Sequence, residues 1–373
     1  MTAEAIDFAT EDELLERSLT EEELDDLVAK EDNPVSVTYT TQDFDVEGLV
    51  TRLKKESMLI PQFGGTDERI STAGFQRGFV WTKAQMDRFI ESLLLGYPVP
   101  GIFLIRQKDN RMLVLDGQQR LVTLRRFYDG LHNGKEFILS NVGNEFKGLS
   151  YKTLDETLQF KLNDSFLQAT IVVADGSAEV DDAIYQIFER LNSGGTQLTP
   201  HEIRVALYAG PLIDNMEDLN QDPNWRELYG KKSARIRDQE LVMRILALFI
   251  KAEFYSKPLK GFLNNFAADH RFVSTEVRDA GQLFLAASKM LAAEVGPQAL
   301  RRPGGNSPNV AQSEAILVGL MTAIESDDVT RHLSDKVNTL KANPEFVAAT
   351  TRFTADKDST QKRLELAITA FKE

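Results

Sequence analysis

The chain has 373 residues, of which 42% are apolar and 27% are charged, and this composition is typical of a globular protein with two or three domains. Because the chain has no cysteine, disulfides, thiolate catalysis and cysteine-ligated zinc are excluded. No apolar run is long enough to span a bilayer and the N-terminus is acidic, so we expect a cytoplasmic protein that does not bind membranes.

The net charge of −14 is concentrated in the first 33 residues, which contain 13 acidic and two basic residues. The other 340 residues contain 44 acidic and 41 basic residues and are therefore almost neutral. We predict an acidic N-terminal tail over residues 1–40. A solvated tail is the simpler interpretation, whereas the helical spacing of its leucines favours an amphipathic helix that docks on a partner or mimics DNA.

Strand and helix patterns alternate through the next part of the chain. Residues 34–43 alternate β-branched and polar side chains and predict an edge strand, and a short helix is predicted over 44–56. The stretch "WTKAQMDRFIESLLLGYPVP" predicts a helix that begins with a capping box of Thr82 and Gln85 and ends at Gly96. "GIFLIRQ" and "RMLVLD" then predict two buried strands joined by a turn.

The remaining pattern changes from mixed to purely helical. A helix follows "DGQQR", "FLQATIVVAD" predicts a further strand, and "EVDDAIYQIFERLN" predicts an amphipathic helix. Thr199 and Pro200 mark another helix start, and from Asp214 to the end only helical patterns occur. We therefore predict an α+β fold class, with an α+β domain over residues 41–213 and an all-helical domain over 214–373.

The sequence "MLVLDGQQRL" places polar residues at the junction of a buried strand and a helix. Asp116 ends the strand, Gly117 turns the chain, and Gln118, Gln119 and Arg120 fall in the first helical turn. The free N–H groups and positive dipole of a helix start favour anions, and Arg120 adds a planar fork for phosphate oxygens. Asp116 can hold Mg²⁺ or orient a water molecule. The local pattern alone equally favours a structural alternative, in which Asp116 and Gln119 cap the helix and Arg120 pairs with an acid.

Two other segments suit a nucleotide, although each has a simpler structural interpretation. In "FQRGFVW", Gln76 and Arg77 lie between aromatic residues that can flank a base, whereas the alternative is a packed loop. In "RLNSGGT", Gly194 and Gly195 allow backbone to approach a ligand closely, whereas the alternative is an ordinary helix end.

The clearest basic cluster outside these segments is "GKKSARIR", with Lys231, Lys232, Arg235 and Arg237. These residues are a candidate DNA-binding surface, and the alternative is a solvated loop. Because duplex affinity comes mainly from phosphate neutralisation, the near-neutral body of the chain weakens the case for direct DNA binding.

Three stretches together resemble the N-terminal domain family of GmrSD-type restriction proteins, over residues 60–207. They are "IPQF…FQRGFVWTKAQMDRFIESLLLGYPVPGIFL", "VLDGQQRLVTL" and "IFERLNSGGTQLTPHEIR", which match in residues, order and spacing. The resemblance implies a ParB/sulfiredoxin-like fold with a small mixed sheet, nucleoside triphosphate binding and hydrolysis, and a role in bacterial defence against phage. The implied catalytic residues are Asp116, Gln118, Gln119 and Arg120, and the implied nucleotide-binding residues are Gln76, Arg77, Gly117, Asn192, Gly194 and Gly195.

The C-terminal part departs from relatives that carry an HNH-type nuclease domain. It contains only His270 and His332, neither in an HNH context, so a separate nuclease subunit is the implied partner. We expect a nucleoside triphosphate-hydrolysing sensor or regulatory subunit of a modification-dependent restriction system, with Mg²⁺ as cofactor. The alternative is a non-catalytic adaptor that binds nucleotide or DNA. A DNA-nicking nuclease is less favoured, and homo-oligomerisation is left open.

Overall fold

The computed structural model describes most of the chain. The described residues are Thr20, Glu23 and the ranges 37–60, 81–107, 109–174, 178–191, 198–327 and 331–372. Their contacts divide the chain into two compact units. The sheet unit contains the described residues from 37 to 191, and the helical unit contains Thr20, Glu23 and the described residues from 198 to 372.

The sheet unit is built on a mixed sheet. Its strands are β1 Tyr39–Asp45, β2 Met58–Leu59, β3 Ile102–Arg106, β4 Met112–Asp116 and β7 Phe166–Val173, while β5 Leu131–His132 and β6 Lys135–Glu136 form a separate hairpin. The order in the sheet is β1-β7-β3-β4-β2. β7 pairs parallel with β3 and antiparallel with β1, and β4 pairs antiparallel with β3 and parallel with β2. β1 is therefore an edge strand, as its alternating pattern predicts.

Helices cover this sheet. They are α1 Val46–Lys54, α2 Lys83–Leu95, α3 Gln118–Asp129, α4 Glu156–Asp164 and α5 Ala178–Leu191. The predicted start of α2 is confirmed, because Gln85 N donates 3.3 Å to Thr82 Oγ1 and Thr82 N donates 2.8 Å to Gln85 Oε1. Its predicted end is also confirmed, because Gly96 follows with a φ of +77°.

The core of the sheet unit lies between one face of the sheet and helices α1 to α4. Strand side chains point alternately to the two faces, and one alternate set joins this core: Ile102, Leu104, Met112, Val114, Leu167, Ala169 and Ile171. On β4 the intervening residues Leu113 and Leu115 are also buried, and α5 packs against this strand. Burial on both faces explains why β4 has the continuous apolar sequence MLVL.

The helical unit contains no strand within residues 198–327 and 331–372, apart from an isolated bridge between Arg301 and Pro308. Its helices are α6 Pro200–Leu207, α7 Pro211–Asn220, α8 Pro223–Tyr229, α9 Arg237–Lys251, α10 Leu259–Asp269, α11 Thr275–Glu294, α12 Val310–Glu325, α13 Leu333–Ala342, α14 Pro344–Ala349 and α15 Lys357–Lys372. The predicted α+β class, with a small mixed sheet and a helical C-terminal region, is thus confirmed.

Helix α12 forms the centre of the helical unit. It packs against α9, α11 and α15, and its residues from Ala311 to Met321 are all buried. Within it, Glu314 accepts a hydrogen bond of 2.6 Å from Arg244 Nε and one of 2.5 Å from Arg363 Nη2. This buried carboxylate between two guanidinium groups ties α12 to α9 and α15.

Helix α6 and the start of helix α7 belong to the helical unit. Helix α6 packs against α10 and α7 packs against α9, so the contacts of residues 200–213 are made within the helical unit. Two residues of the predicted acidic tail, 39 and 40, belong to β1. The division into residues 1–40, 41–213 and 214–373 stays a prediction. Among the described residues, no helix combines the length and the apolar character that crossing a bilayer requires.

Candidate functional site

The turn between β4 and α3 depends on a glycine. A register shift between β3 and β4 places Asp116, rather than Leu115, opposite Phe103 at the end of the strand. Gly117 then takes a φ of +96°, a backbone conformation that L side chains rarely adopt. A Cβ atom at this position would lie only 2.3 Å from Ile102 Cγ2. The strand therefore passes into the helix through a turn that only glycine fits.

Arg120 holds this turn together from the first turn of α3. Its Nη2 donates one hydrogen bond of 2.9 Å to the backbone oxygen of Gly101 and another of 2.9 Å to Asp116 Oδ2. The Arg120 side chain is 14% exposed, whereas the Asp116 side chain is 48% exposed. Arg120 Nε is buried and makes no hydrogen bond to any described residue. The guanidinium therefore lies beneath the turn, with the carboxylate above it at the surface.

The N-terminus of α3 has no side-chain cap. Gly117 is the N-cap residue, and it makes no side-chain cap hydrogen bond. Of the structural alternative weighed from the sequence, the pairing of Arg120 with an acid is observed, and the Asp116 carboxylate accepts from Arg120 rather than from the start of α3. An uncapped helix start presents backbone N–H groups and the positive end of the helix dipole, which together favour an anion.

The two glutamines of the motif have different surroundings. Gln119 Oε1 accepts a hydrogen bond of 3.2 Å from Trp81 N, so the end of the "FQRGFVW" segment lies beside the "DGQQR" turn. Trp81 packs edge-on against Phe89 of α2, with ring centroids 5.6 Å apart. Gln118 is half-buried, and its side chain has no hydrogen-bond partner within the part of the chain that the structure describes. Gln118 is thus the amide that remains available to a ligand.

The remaining predicted nucleotide-binding residues lie outside the described residues. They are Gln76, Arg77, Asn192, Gly194 and Gly195. Their neighbours in the chain are described: Trp81 bonds to the "DGQQR" turn, and α5, which ends at Leu191, packs against β4. The assignment of these five residues to the site stays a prediction.

The predicted DNA-binding cluster is largely neutralised by acids of the helical unit. Lys231 is exposed, whereas the other three residues form ion pairs at 3.0, 2.5 and 2.7 Å: Lys232 with Glu217, Arg235 with Glu202, and Arg237 with Glu23. Side chains whose charge is already paired are poorly suited to phosphate neutralisation. Their assignment to DNA binding stays a prediction.

Glu23 also gives the acidic N-terminal segment an anchor on the helical unit. Its carboxylate is bidentate with Arg237, through Nε at 2.9 Å and Nη2 at 2.7 Å. Glu23 also forms a capping box with Thr20, whose backbone N donates 2.6 Å to Glu23 Oε2. Burial opposes ionisation of Arg237, but the hydrogen bond and charge of Glu23 outweigh it and raise the pKa of the guanidinium.

Sequence reasoning missed two residues that support the site. Gly101 accepts from Arg120, and a Cβ atom there would lie 2.6 Å from the backbone oxygen of Gln168 in β7. Asp87 is fully buried in α2 and accepts four hydrogen bonds of 2.8–3.1 Å from Ser140 and Asn141, as well as one from Lys83. In the sequence, the local signal for Gly101 was a glycine at the start of a predicted strand. The local signal for Asp87 was an acid on an otherwise apolar helix face.

The hydrogen bonds of Asp87 determine its ionisation. Burial raises the pKa of this carboxyl group, but the hydrogen bonds from Lys83, Asn141 and Ser140 outweigh burial and hold the pKa below its ordinary value. The ionised Asp87 thereby fixes the segment that follows β6 onto α2, on which Trp81 packs.

Among the described residues of this site, Asp116 is the candidate ligand for a metal ion. No cluster of three or more acidic or histidine side chains suited to a metal occurs among the described residues. Mg²⁺ is often held by one or two carboxylates together with the phosphates of a nucleotide. The half-exposed Asp116 therefore fits Mg²⁺ that arrives with a nucleotide, rather than a resident metal.

A comparison with protein-family models adds an independent finding. Residues 59–209 match the model described as "GmrSD restriction endonuclease, N-terminal domain". This segment is therefore similar to a GmrSD N-terminal domain. The match includes the whole "DGQQR" turn and α6, which confirms the resemblance noted from the motifs. Searches of curated proteins and of solved structures found no match, so the ParB/sulfiredoxin-like character of the sheet stays an expectation.

Proposed function

We propose that this chain is the nucleotide-binding and nucleoside triphosphate-hydrolysing sensor or regulatory subunit of a bacterial anti-phage restriction system that acts on modified DNA. One observation carries the proposal: within a segment similar to a GmrSD N-terminal domain, a half-exposed Asp116 stands beside the uncapped N-terminus of α3. An anion site can bind phosphate oxygens, and a carboxylate beside it can position the attacking water or Mg²⁺.

Each residue of the "DGQQR" turn has a role in this proposal. The N–H groups at the start of α3 bind phosphate oxygens, and Asp116 orients the attacking water or holds Mg²⁺. Gln118, whose amide has no partner within the described residues, positions the same water, as a glutamine does in other phosphohydrolases. When it is bound with the nucleotide, Mg²⁺ neutralises charge on the phosphate oxygens. Gln76, Arg77, Asn192, Gly194 and Gly195 complete the proposed site.

A separate nuclease subunit is the proposed partner. His270 in the helical unit is buried, with its Nδ1 3.0 Å from Ser274 Oγ, and burial lowers its pKa. His332 lies at the start of α13. The described residues offer no metal cluster of the kind a nuclease uses, so DNA cleavage is assigned to another protein. A plasmid-nicking assay with Mg²⁺ or Mn²⁺ tests this assignment, and cleavage by the purified chain would refute it.

The decisive experiment is a nucleotide panel. Binding and phosphate release are measured for the four ribonucleoside triphosphates with Mg²⁺, with and without modified DNA. Hydrolysis of at least one nucleotide is expected, with loss of turnover in Asp116→Ala and Gln118→Ala. Asp129→Asn, at the opposite end of α3, is the control and is expected to retain activity. No turnover by the natural sequence, or equal turnover by Asp116→Ala, would refute the proposal.

A binding module without turnover is the second candidate function. It is favoured by the ion pair of Asp116 with Arg120, which offsets much of the negative charge of that carboxylate. Such a chain would act as a nucleotide-dependent adaptor. Saturable nucleotide binding with no phosphate release from any nucleotide, even in the presence of modified DNA, would select this candidate.

A further inference from the structure

We infer that Arg120 is a positioning residue, which acts on the nucleotide through Asp116 rather than by touching a phosphate group itself. The inference rests on the proposed nucleotide site and revises the sequence-based expectation that this guanidinium contacts phosphate directly. Three features of the structure support it: the use of the Nη2 protons, the packing around the guanidinium and the surroundings of the two glutamines.

Both protons of Arg120 Nη2 are donated in hydrogen bonds to the protein. An Nη2 group carries two protons, and one is donated to Gly101 O and the other to Asp116 Oδ2, both at 2.9 Å. Nε is buried without a partner among the described residues, so it faces protein rather than a ligand. Two of the three guanidinium nitrogens are therefore withdrawn from any phosphate.

The packing around Arg120 is built to keep it there. A Cβ atom on residue 117 would lie 3.3 Å from Arg120 Nη2, and a Cβ atom on Gly101 would strike the backbone oxygen of Gln168 at 2.6 Å. Glycine at residue 117 leaves room beside the guanidinium, and glycine at residue 101 lets the backbone that precedes β3 lie close to β7. Arg120 thus joins β3, β4 and α3 at one point.

The consequence is a fixed carboxylate. A half-exposed aspartate at a strand end would otherwise sample several rotamers. With Oδ2 bound to Arg120, the position of Asp116 is set, and Oδ1 is left without a partner among the described residues. Gln119 is similarly engaged, since it binds Trp81 N, whereas Gln118 is not. Asp116 Oδ1 and the Gln118 amide are thus groups of the motif that are left for a ligand, and Arg120 holds Asp116 in place through Nη2.

The test decides whether Arg120 contacts phosphate directly or positions Asp116, and it compares kcat, KM and nucleotide affinity. The variants are Arg120→Lys, Asp116→Asn and the double variant. Arg125→Lys and Asp129→Asn provide a control, because Arg125 and Asp129, which both lie on α3, form another ion pair four residues apart, at 3.7 Å. Affinity is measured by titration with a non-hydrolysable triphosphate analogue and Mg²⁺. The thermal unfolding midpoint of each variant confirms that it is folded.

For a positioning residue, Arg120→Lys is expected to lower kcat roughly 10- to 100-fold, as supporting residues of reactive groups typically do. Analogue affinity is expected to change by less than about threefold, because no charged hydrogen bond to the ligand is lost. The double variant is expected to match Asp116→Asn alone, since Arg120 acts through that carboxylate.

Two results would overturn the inference about Arg120 while leaving the proposed function intact. One is a loss of analogue affinity of roughly tenfold or more in Arg120→Lys with kcat preserved, which is the signature of a direct phosphate contact. The other is a double variant whose defect is the product of the two single defects. If the natural sequence binds no nucleotide at all, the proposed function fails, and the inference fails with it.

Discussion

Replacing Gly117 by alanine tests the link between the backbone turn and the site. Two costs follow from the structure. The φ of +96° is unfavourable for an L side chain by roughly 1–2 kcal/mol. The new methyl group would lie 2.3 Å from Ile102 Cγ2, and forcing a methyl group into a packed site costs roughly 1–3 kcal/mol. Together, Gly117→Ala is expected to lower the free energy of unfolding of the sheet unit by roughly 2–5 kcal/mol.

Gly130→Ala provides a control that separates the two costs. Gly130 follows the other end of α3 with a φ of +74°, and a Cβ atom there would meet nothing within 4 Å. This variant therefore carries the backbone cost without the clash, and it is expected to be destabilised by about 1 kcal/mol. The difference between the two variants is the steric cost at Ile102.

The assay is urea unfolding followed by the fluorescence of Trp81. The chain has two tryptophans, and a Trp225→Phe background leaves Trp81 as the reporter of the sheet unit. The midpoints are compared for the parent, Gly117→Ala and Gly130→Ala, and nucleotide binding is measured in parallel. Equal midpoints for the two alanine variants would refute the argument, because they would show that the turn adjusts to a side chain.

Three other predictions concern residues away from this turn. Asp87→Asn is expected to destabilise the sheet unit by roughly 3 kcal/mol at pH 7. Because the pKa of Asp87 in the folded state is lowered from 3.8, its contribution to stability is present above about pH 4 and is lost as the pH falls through the folded pKa. Unfolding midpoints measured from pH 7 to pH 2.5 should therefore fall more steeply for the parent than for the variant. Glu314→Gln removes the anion that two buried guanidinium groups share, although Arg244 keeps Glu240 at 3.6 Å. The change is expected to cost roughly 3–5 kcal/mol in urea unfolding of the helical unit, a loss that a matched exposed Glu345→Gln should not reproduce. Arg237→Glu repels Glu23 and is expected to increase the rate of limited proteolysis within residues 1–33, whereas Lys231→Glu should leave this rate unchanged.

Local chemistry in the sequence was sufficient to predict individual elements. The capping box at Thr82 and the glycine at residue 96 define α2 through contacts that span four residues or fewer. The same is true of α6, where Thr199 N donates 2.7 Å to Glu202 Oε2. The identity of each element is set by its nearest neighbours in the chain, and a sequence pattern records such neighbours directly.

The arrangement of the elements could not be predicted in this way. β7 inserts between β1 and β3, although it is separated from both by more than 50 residues, and no local pattern specifies that pairing. The acceptors of Arg120 show the same limit. Asp116, four residues away, was foreseeable as an acid partner, whereas Gly101 lies 19 residues away in the chain and is brought close only by the β3–β4 pairing. The role of Arg120 depends on that second acceptor.

The fixed charge of Asp116 has a final consequence for nucleotide binding. The start of α3 attracts phosphate, but the neighbouring carboxylate repels it unless a cation compensates. Two unit charges about 4 Å apart in water interact by roughly 1 kcal/mol, and a carboxylate that is half exposed and paired with Arg120 lies near this lower limit.

Without Mg²⁺, Asp116→Asn is therefore expected to bind nucleoside triphosphate up to about fivefold more tightly than the parent, and the gain should shrink at high salt. With Mg²⁺, the same variant should lose turnover. Isothermal titration in EDTA measures the first effect, and Asp129→Asn at the far end of α3 should not show it. Weaker Mg²⁺-free binding by Asp116→Asn would mean that the phosphates lie elsewhere than at the start of α3.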